Sequence, residues 1–599
     1  MFVIGLMIGQ MATTTIGLWL HYALMMGAYL LCGLPVLRDA ADALRRYDFF
    51  NEFTLMSLAT LVAIALGEMS EAVGVMLFYS IGEAAQEKAA GSSRRSIEAL
   101  LASKPEVATV LENGVARQER PEQVAAGSTI LVKPGEKVPL DGIVVSGTAM
   151  MDMSSLTGES APVAVAKDGA VFSGSISLDG DLVIMTTVKY SDSMVGKILA
   201  MVEHAVSMKS KTERYITVFA RYYTPVVTGL ALLTAVMPPL LFGQPWNVWV
   251  YRALVLLIVS CPCALFLSVP LAFFAGIGTA SRNGMLVKGG QVFDALSKAK
   301  EVVFDKTGTL TTGKLSLADA SPADGVSREE LIRLAALAES RSTHPVANAV
   351  VAAAGGQAMI HTDVTTRNVP GQGVVATTPE GDILVGNAAL LENREIAFQP
   401  ADTANLIAYV AVGGQYKGWL SFSDQVKEDS AQAIRALRRM GIEKTYMLTG
   451  DRREAAEAVA QKTGLSGFRA GLLPDQKVAA FRELSPTGTA VFVGDGVNDA
   501  PVLASAGVGV AMGALGSAAA VEAADAVILD DSPSRLPALF RIAGKTRKIA
   551  AENIIFALGV KTIVMAFGLA GLSGLWEAVF ADVGVALLAV LNSMRLTRL

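Results

Sequence analysis

Apolar residues in this chain fall in long blocks rather than in an even alternation. Residues 53–67, 72–82, 216–243, 247–281, 551–572 and 575–594 are apolar stretches with few charges, and residues 2–37 contain no Asp, Glu, Lys or Arg. A bilayer core takes about 20 apolar residues per helix, so these blocks predict membrane-spanning helices. At ~1.5 Å per residue, the 2–37 run exceeds one span and barely accommodates two. It predicts a short first helix before about Thr14 and then a full second helix. Gly33 and Pro35 are expected to end that second helix, because proline deletes a helix hydrogen bond. The RDAADALRRY that follows should lie along the interface as an amphipathic platform near 36–47. The pattern predicts about eight helices.

Two polar insertions interrupt the blocks. Residues 91–210 alternate apolar and polar positions (VATVLENG, GSTILVKPG, GIVVSG), which predicts strands closed by Gly and Pro turns. Residues 285–548 alternate strand-like runs (EVVFDKTG, KTYMLTGD, TAVFVGDG) with helical ones (EDSAQAIRALRRM, REAAEAVAQKTG). That alternation predicts a parallel α/β sheet with helices on both faces. Within it, 314–423 has helices and strands of its own and reads as an inserted domain between 285–313 and 424–548. The membrane segments are then 1–90, 211–284 and 549–599. Arg38, Arg45, Arg46, Arg94, Arg95, Arg595 and Arg598 flank helix ends on one side, which the positive-inside rule makes cytoplasmic. With no Lys or Arg before the first apolar run and no small-residue cleavage site after it, a cleaved leader is not expected.

Composition agrees with the blocks. Of 599 residues, 52% are hydrophobic and only 18% charged, against about 25% charged in soluble domains. A purely soluble enzyme is thereby excluded. Fifty Lys and Arg against 55 Asp and Glu give a net charge of −5, so no basic excess points to nucleic acid. The three cysteines, Cys32, Cys261 and Cys263, cannot form a disulfide framework.

Candidate chemistry gathers at three strand ends. Asp305-Lys306-Thr307-Gly308-Thr309 follows the strand 301–304, and a carboxylate at such a position can attack phosphorus to give an acyl-phosphate. Asp495, Asn498 and Asp499, in GDGVND after the strand 490–493, offer oxygen ligands for Mg²⁺ together with Asp305 and Thr307. Thr449-Gly450-Asp451 ends a third strand, where a hydroxyl and backbone N–H groups can hold phosphate oxygens. Lys477 can supply positive charge to the transition state. An ordinary strand-end turn explains any one of these motifs, but not their conjunction.

Taken together, DKTGT, TGES at 157–160, TGD and GDGVND resemble the P-type ATPases, in that family's order and over nearly the whole chain. The resemblance implies a helical membrane bundle, a β-rich actuator domain, and a haloacid-dehalogenase-like phosphorylation domain carrying an inserted nucleotide-binding domain. It implies phosphorylation of Asp305 by ATP, and dephosphorylation assisted by Glu159 on the Thr157-Gly158 turn. A carboxylate can orient or deprotonate water where a Thr-Gly turn alone cannot. Glu339, His344, Gly371, Gly373 and Gly386 match the nucleotide-domain residues of the heavy-metal subfamily.

Cys261-Pro262-Cys263 lies inside an apolar block. Pro262 frees the carbonyl of Ile258 and locally opens the helix, and two thiols at such a break offer soft ligands to Zn²⁺, Cd²⁺ or Cu⁺. The alternative is two cysteines packed as small hydrophobes. Lys561 and Asp582 lie in the last two blocks, where charge is expensive and usually marks an ion path. The Cys-Pro-Cys motif, the Lys and the Asp-x-Gly resemble the subgroup that exports Zn²⁺, Cd²⁺ and Pb²⁺. A carboxylate beside two thiolates also suits a divalent ion better than Cu⁺. Two thiolates and Asp582 outweigh the charge of Zn²⁺ by one, which Lys561 can neutralise as a counter-ion. By the same resemblance Glu71 marks the release path, the alternative being a solvated helix cap. Met56 marks the entry funnel, the alternative being core packing. Many members of the family carry an N-terminal metal domain with a Cys-x-x-Cys pair, and this sequence holds no such pair.

The expected protein is thus a monomeric ATP-driven exporter in a bacterial inner membrane, with its soluble domains in the cytosol. Its partners are ATP, Mg²⁺, divalent soft metals and lipid, with no nucleic acid. A copper exporter is disfavoured by Lys561 and Asp582. A metal sensor with a vestigial phosphatase-like domain is disfavoured by intact Asp305, Glu159 and Asp495.

Overall fold

The computed structural model describes residues 1–599 except 3, 5, 8–14, 102–104, 106, 113–114, 154–161, 198–199, 201–209, 260–261, 343, 356–363, 379–380, 402, 404, 497–498, 514–517 and 599. Side chains at 15, 17–18, 89–101, 211, 263 and 518–519 are likewise outside the description. The chain divides into two compact units, Met1–Ser297 with Leu539–Leu599, and Lys298–Ala538.

The first unit holds the apolar helices: α1 (Thr15–Arg45), α2 (Glu52–Ala65), α3 (Met69–Leu101), α4 (Lys211–Phe242), α5 (Trp246–Val259), α6 (Cys263–Arg282), α7 (Arg535–Ala570) and α8 (Leu575–Met594). Among the described residues five helical stretches are long and apolar enough to cross a membrane, Trp19–Arg45, Thr212–Phe242, Trp246–Arg282, Arg535–Ala570 and Leu575–Arg598, with Glu52–Ala65 a shorter apolar helix. The block before Thr14 is described only at scattered positions, where Phe2 packs on Trp576 with ring centroids 5.8 Å apart.

One expectation is corrected. Gly33 and Pro35 do not end the second helix, which runs unbroken from Thr15 to Arg45 with Pro35 inside it. The residues expected to form a separate platform are therefore its last turns. Proline removes one N–H, but in an apolar helix the bonds on either side persist and the freed carbonyl can be met locally. Gly33 instead serves contact between helices, since a Cβ there would stand 3.4 Å from the Met76 side chain of α3. Glycine has the same use on α3 itself: a Cβ on Gly82 would stand 2.1 Å from Val583 of α8, and one on Gly74 would stand 2.3 Å from Trp576. Small residues let apolar helices approach where no water drives them together.

The β-rich insertion of this unit has a six-stranded antiparallel sheet built from strands between Ala108 and Thr186, and a three-stranded sheet beside it. Alternate positions such as Ile130, Val132, Leu182 and Ile184 fill the core between them, as the alternating pattern requires.

The second unit is built on parallel strands β1 (Glu301–Asp305), β2 (Lys444–Leu448), β3 (Gly467–Arg469), β4 (Val491–Gly494), β5 (Val508–Met512) and β6 (Ala526–Ile528), in the order β6-β5-β4-β1-β2-β3. Val302, Val303 and Phe304 are fully enclosed, as in a sheet covered on both faces. Strand order reverses at β1, and in such sheets ligands sit beyond the carboxyl ends of the strands at that reversal. Immediately after β1, the chain leaves along Thr311–Pro322 into a six-stranded antiparallel sheet and returns along Gln415–Val426, its direct partner. The helices Arg328–Glu339 and Pro345–Ala353 cover one face of that sheet.

Candidate functional site

Asp305 ends β1 and is 5% exposed. Lys477, from the helix Pro474–Leu484, donates from Nζ to Asp305 Oδ1 at 2.6 Å and to Asp499 Oδ1 at 2.9 Å. Burial and the charge of Asp499 push the Asp305 carboxyl up to about 7, although Lys477 pulls the other way. Burial lowers the affinity of Lys477 for its proton, but the two carboxylates outweigh it and leave the ammonium above its ordinary value. Asp495 leans over Gly308, where a Cβ would lie 3.3 Å from its Oδ2. Gly308 has φ +70° in the turn after Asp305, a conformation glycine adopts without strain.

The turn is fixed from both sides. Lys306 pairs with Asp451, and Thr311 donates to Asp424 and to the Lys306 carbonyl. Lys427 donates to the Gly308 carbonyl at 2.9 Å and pairs with Asp531 at 2.6 Å. Thr449 is buried, and its Oγ1 accepts from the Asp451 N–H at 3.1 Å, closing the TGD turn. Asp305, Lys306, Thr307, Thr449, Gly450, Asp451, Lys477, Asp495 and Asp499 thus converge at one end of the sheet, while Asn498 lies outside the described residues. A cleft of about 1120 Å³ opens here, with Lys306, Thr307 and Asp451 on one wall and Asn387, Ile407 and Tyr409 among the residues of the inserted sheet facing it.

The other nucleotide-domain residues are placed differently. Gly373 and Gly386 are cross-strand partners. A Cβ on either would stand within 2.2 Å of the opposite backbone, so close pairing of the strands already requires both glycines. Gly371 has φ +71° in the adjoining turn, and Asn387 Nδ2 donates to its carbonyl at 2.9 Å. His344 caps the helix Pro345–Ala353, with Nδ1 accepting from the Val346 N–H at 3.3 Å. Glu339 is 5% exposed and burial pushes its carboxyl up to about 7. None of Glu339, His344, Gly371, Gly373 and Gly386 is among the described residues that line the cleft.

In the first unit, α5 is described to Val259 and α6 from Cys263, and the helix break that Cys261-Pro262-Cys263 predicts falls on residues 260–261, which lie outside the described residues. Cys261 and the Cys263 side chain lie outside the described residues, as do Thr157, Gly158 and Glu159, although the strands flanking the latter three pair antiparallel. Lys561 of α7 and Asp582 of α8 form an ion pair in which both side chains are enclosed, and Lys561 Nζ also reaches the Val259 carbonyl at 3.3 Å. Glu71, in the first turn of α3, accepts from Tyr251 Oη at 2.6 Å. Met56 is buried in the helical core among Met25, Met76 and Val259.

Sequence reasoning missed Asp424, Lys427 and Tyr251. Asp424 and Lys427 lie in a polar stretch, DQVKEDS, with nothing to distinguish them from solvated charges. Tyr251 sits in an apolar block, where a tyrosine is usually read as packing or as an interface anchor.

Comparison with known proteins decides what this arrangement belongs to. Residues 300–507 match the haloacid dehalogenase-like hydrolases and residues 102–203 the P-type ATPase actuator domain. A zinc-transporting ATPase of Synechocystis is 47% identical over 100% of this chain and 84% of its own length. The chain belongs to the heavy-metal P-type ATPases, in their zinc, cadmium and lead branch. A cadmium, zinc and cobalt-transporting ATPase of Bacillus subtilis is 46% identical over 97% of the chain and 83% of its own. The crystal structure of a zinc-transporting P-type ATPase in its E2·Pi state matches with a TM-score of 0.62 and 35% identity, covering 100% of this chain and 98% of that one. As a P-type ATPase, the chain pairs a haloacid-dehalogenase-like catalytic unit with helices able to span a membrane.

Proposed function

We propose that this ATPase exports divalent soft metal ions, zinc and with it cadmium and lead, from the cytosol of a bacterium across its inner membrane. The observation that carries the substrate reading is the enclosed Lys561–Asp582 pair set against the carbonyl of Val259, two residues before Cys261-Pro262-Cys263 in the sequence. Charges in an apolar bundle are costly, and where they occur they usually mark an ion path. A carboxylate with two thiols is a donor set for a borderline divalent ion rather than for Cu⁺. Cys261, Cys263 and Asp582 bind the ion. Lys561 takes its place on Asp582 when it leaves, Glu71 receives it on the way out, and Met56 lines its entry.

Asp305 is the nucleophile toward the terminal phosphoryl group of ATP. Lys477 draws negative charge from the transferring group, and Thr449, Gly450 and the Thr307 turn hold its oxygens. The Lys306–Asp451 and Lys427–Gly308 contacts fix the loop so that Asp305 need not search for its attack geometry. Asp305, Thr307, Asp495, Asn498 and Asp499 would hold Mg²⁺. Burial first, and then the charges of Asp499 and Asp495, raise the Asp305 carboxyl, and such a gathering of carboxylates suits a hard divalent cation. When bound, Mg²⁺ favours the ionised carboxylate and screens the phosphates. Glu339, His344, Gly371, Gly373 and Gly386 form the nucleotide site. Glu159, on the Thr157-Gly158 turn, orients the water that cleaves the acyl-phosphate. One chain carries every residue named, so the working unit is a monomer.

ATP hydrolysis by the purified protein, measured against Zn²⁺, Cd²⁺, Pb²⁺, Co²⁺ and Cu⁺, tests the substrate. Stimulation by the first three and not by Cu⁺ is expected. Stimulation by Cu⁺ alone would overturn the reading.

A further inference from the structure

Tyr251 and Arg252 are consecutive residues of α5, and each grips one side of the short connection between α7 and α8. Arg252 Nη1 donates to the Leu569 carbonyl in the last turn of α7 at 3.0 Å, and its guanidinium lies 4.6 Å from the centre of the Trp249 ring. Across the turn, the N–H of Leu575, the first residue of α8, donates to Tyr251 Oη at 3.2 Å. Carbonyls at the end of one helix and N–H groups at the start of the next lack partners within their own helices, so α5 satisfies both ends of the connection. The neighbouring Gly574 N–H is held separately by Glu577 Oε2 at 2.9 Å. A phenol has a single proton to give, and Tyr251 gives it to Glu71 Oε2 at 2.6 Å. At its far end, α5 meets the same hairpin again, where the Val259 carbonyl accepts from Lys561.

One hydroxyl therefore joins three helices: α3 through Glu71, α5 through Tyr251 itself, and α8 through Leu575. Asp582 stands on α8 about two turns beyond Leu575. We infer that Tyr251 is a positioning residue that links the state of Glu71 to the hairpin carrying Lys561 and Asp582. The inference rests on Glu71 being an acid of the release path. A cation drawn to the Glu71 carboxylate competes for the lone pairs that accept the tyrosine proton. As that bond weakens, the hydroxyl turns, the Leu575 N–H loses its aligned acceptor, and the start of α8 is freed. Exit of the ion and movement of the helix that held it are thereby tied together.

The test is a double-mutant cycle on the purified full-length protein, with Zn²⁺ as the probe and zinc-stimulated ATP hydrolysis as the readout. Tyr251→Phe keeps the ring and removes only the hydroxyl. Tyr251→Phe and Glu71→Gln are each expected to lower kcat by at least about threefold while leaving half-maximal zinc within about twofold of wild type. The double variant should be no slower than the slower single one, because both changes break the same link. Multiplying effects, a Tyr251→Phe protein at wild-type kcat, or a loss explained by a lowered Tm with raised half-maximal zinc would each overturn the inference. If Glu71→Gln alone turns over like wild type, the release-path reading of Glu71 falls, and this inference with it. If Glu71→Gln is slow but the effects multiply, only the inference falls.

Discussion

Glu339 is the most informative single carboxyl outside the phosphoryl centre. Burial holds its pKa at about 7, well above that of an unfolded glutamate. A carboxyl raised on folding contributes its full stability at low pH and loses it as pH climbs through the folded value, so its cost grows between about pH 4.5 and 7 and amounts to roughly 3 kcal/mol above that. Amide exchange of the helix Arg328–Glu339 should therefore lose protection from pH 5 to 8 in wild type, after correction for intrinsic rates. In Glu339→Gln the corrected protection should stay level, and a parallel decline in both proteins would contradict the assignment. Lys561 poses the reverse problem. Lys561→Ala leaves Asp582 buried with its cation removed, a defect of roughly 3–5 kcal/mol. Thermal unfolding of that variant should begin lower than wild type in chelator and regain most of the difference in Zn²⁺, since the ion replaces the lost charge. A melting curve indifferent to both the substitution and the metal would count against the counter-ion role.

At the scale of elements, α3 and α8 touch through glycines. With Val583 lodged against Gly82, a methyl group has nowhere to go unless α8 moves, and Val583 adjoins Asp582. Gly82→Ala is expected to reduce zinc-stimulated turnover by roughly tenfold, given a packing penalty of about 1–3 kcal/mol at the ion site. Gly584→Ala, where a Cβ meets nothing within 4 Å, should stay near wild type. Equal activities for the two variants would show that this contact does not position Asp582.

Element type was legible wherever the pattern had a period or a length: apolar blocks became helices, and the runs before DKTGT, TGD and GDGVND became adjacent strands β1, β2 and β4. Pro35 lacks an N–H to donate, yet its helix continued where an end was expected, since the bonds on either side outlast the loss of one. Contacts such as Lys427 to Gly308 or Tyr251 to Glu71 join residues more than a hundred positions apart, and no local rule announces them.

Across the whole molecule the chain forms two compact units, and the proposed function places the phosphorylated aspartate in one and the ion in the other. Binding or phosphorylation can drive transport only if its free energy differs between the states of the membrane helices, so the aspartate and the cargo must be linked. The direct test is ATP-dependent zinc accumulation in sealed vesicles that expose the soluble domains to the medium, comparing wild type with Asp305→Asn. The account predicts that wild type accumulates zinc while forming an acid-stable phosphoenzyme, and that Asp305→Asn binds zinc but forms no phosphoenzyme and accumulates none. Accumulation by Asp305→Asn at the wild-type rate would contradict it.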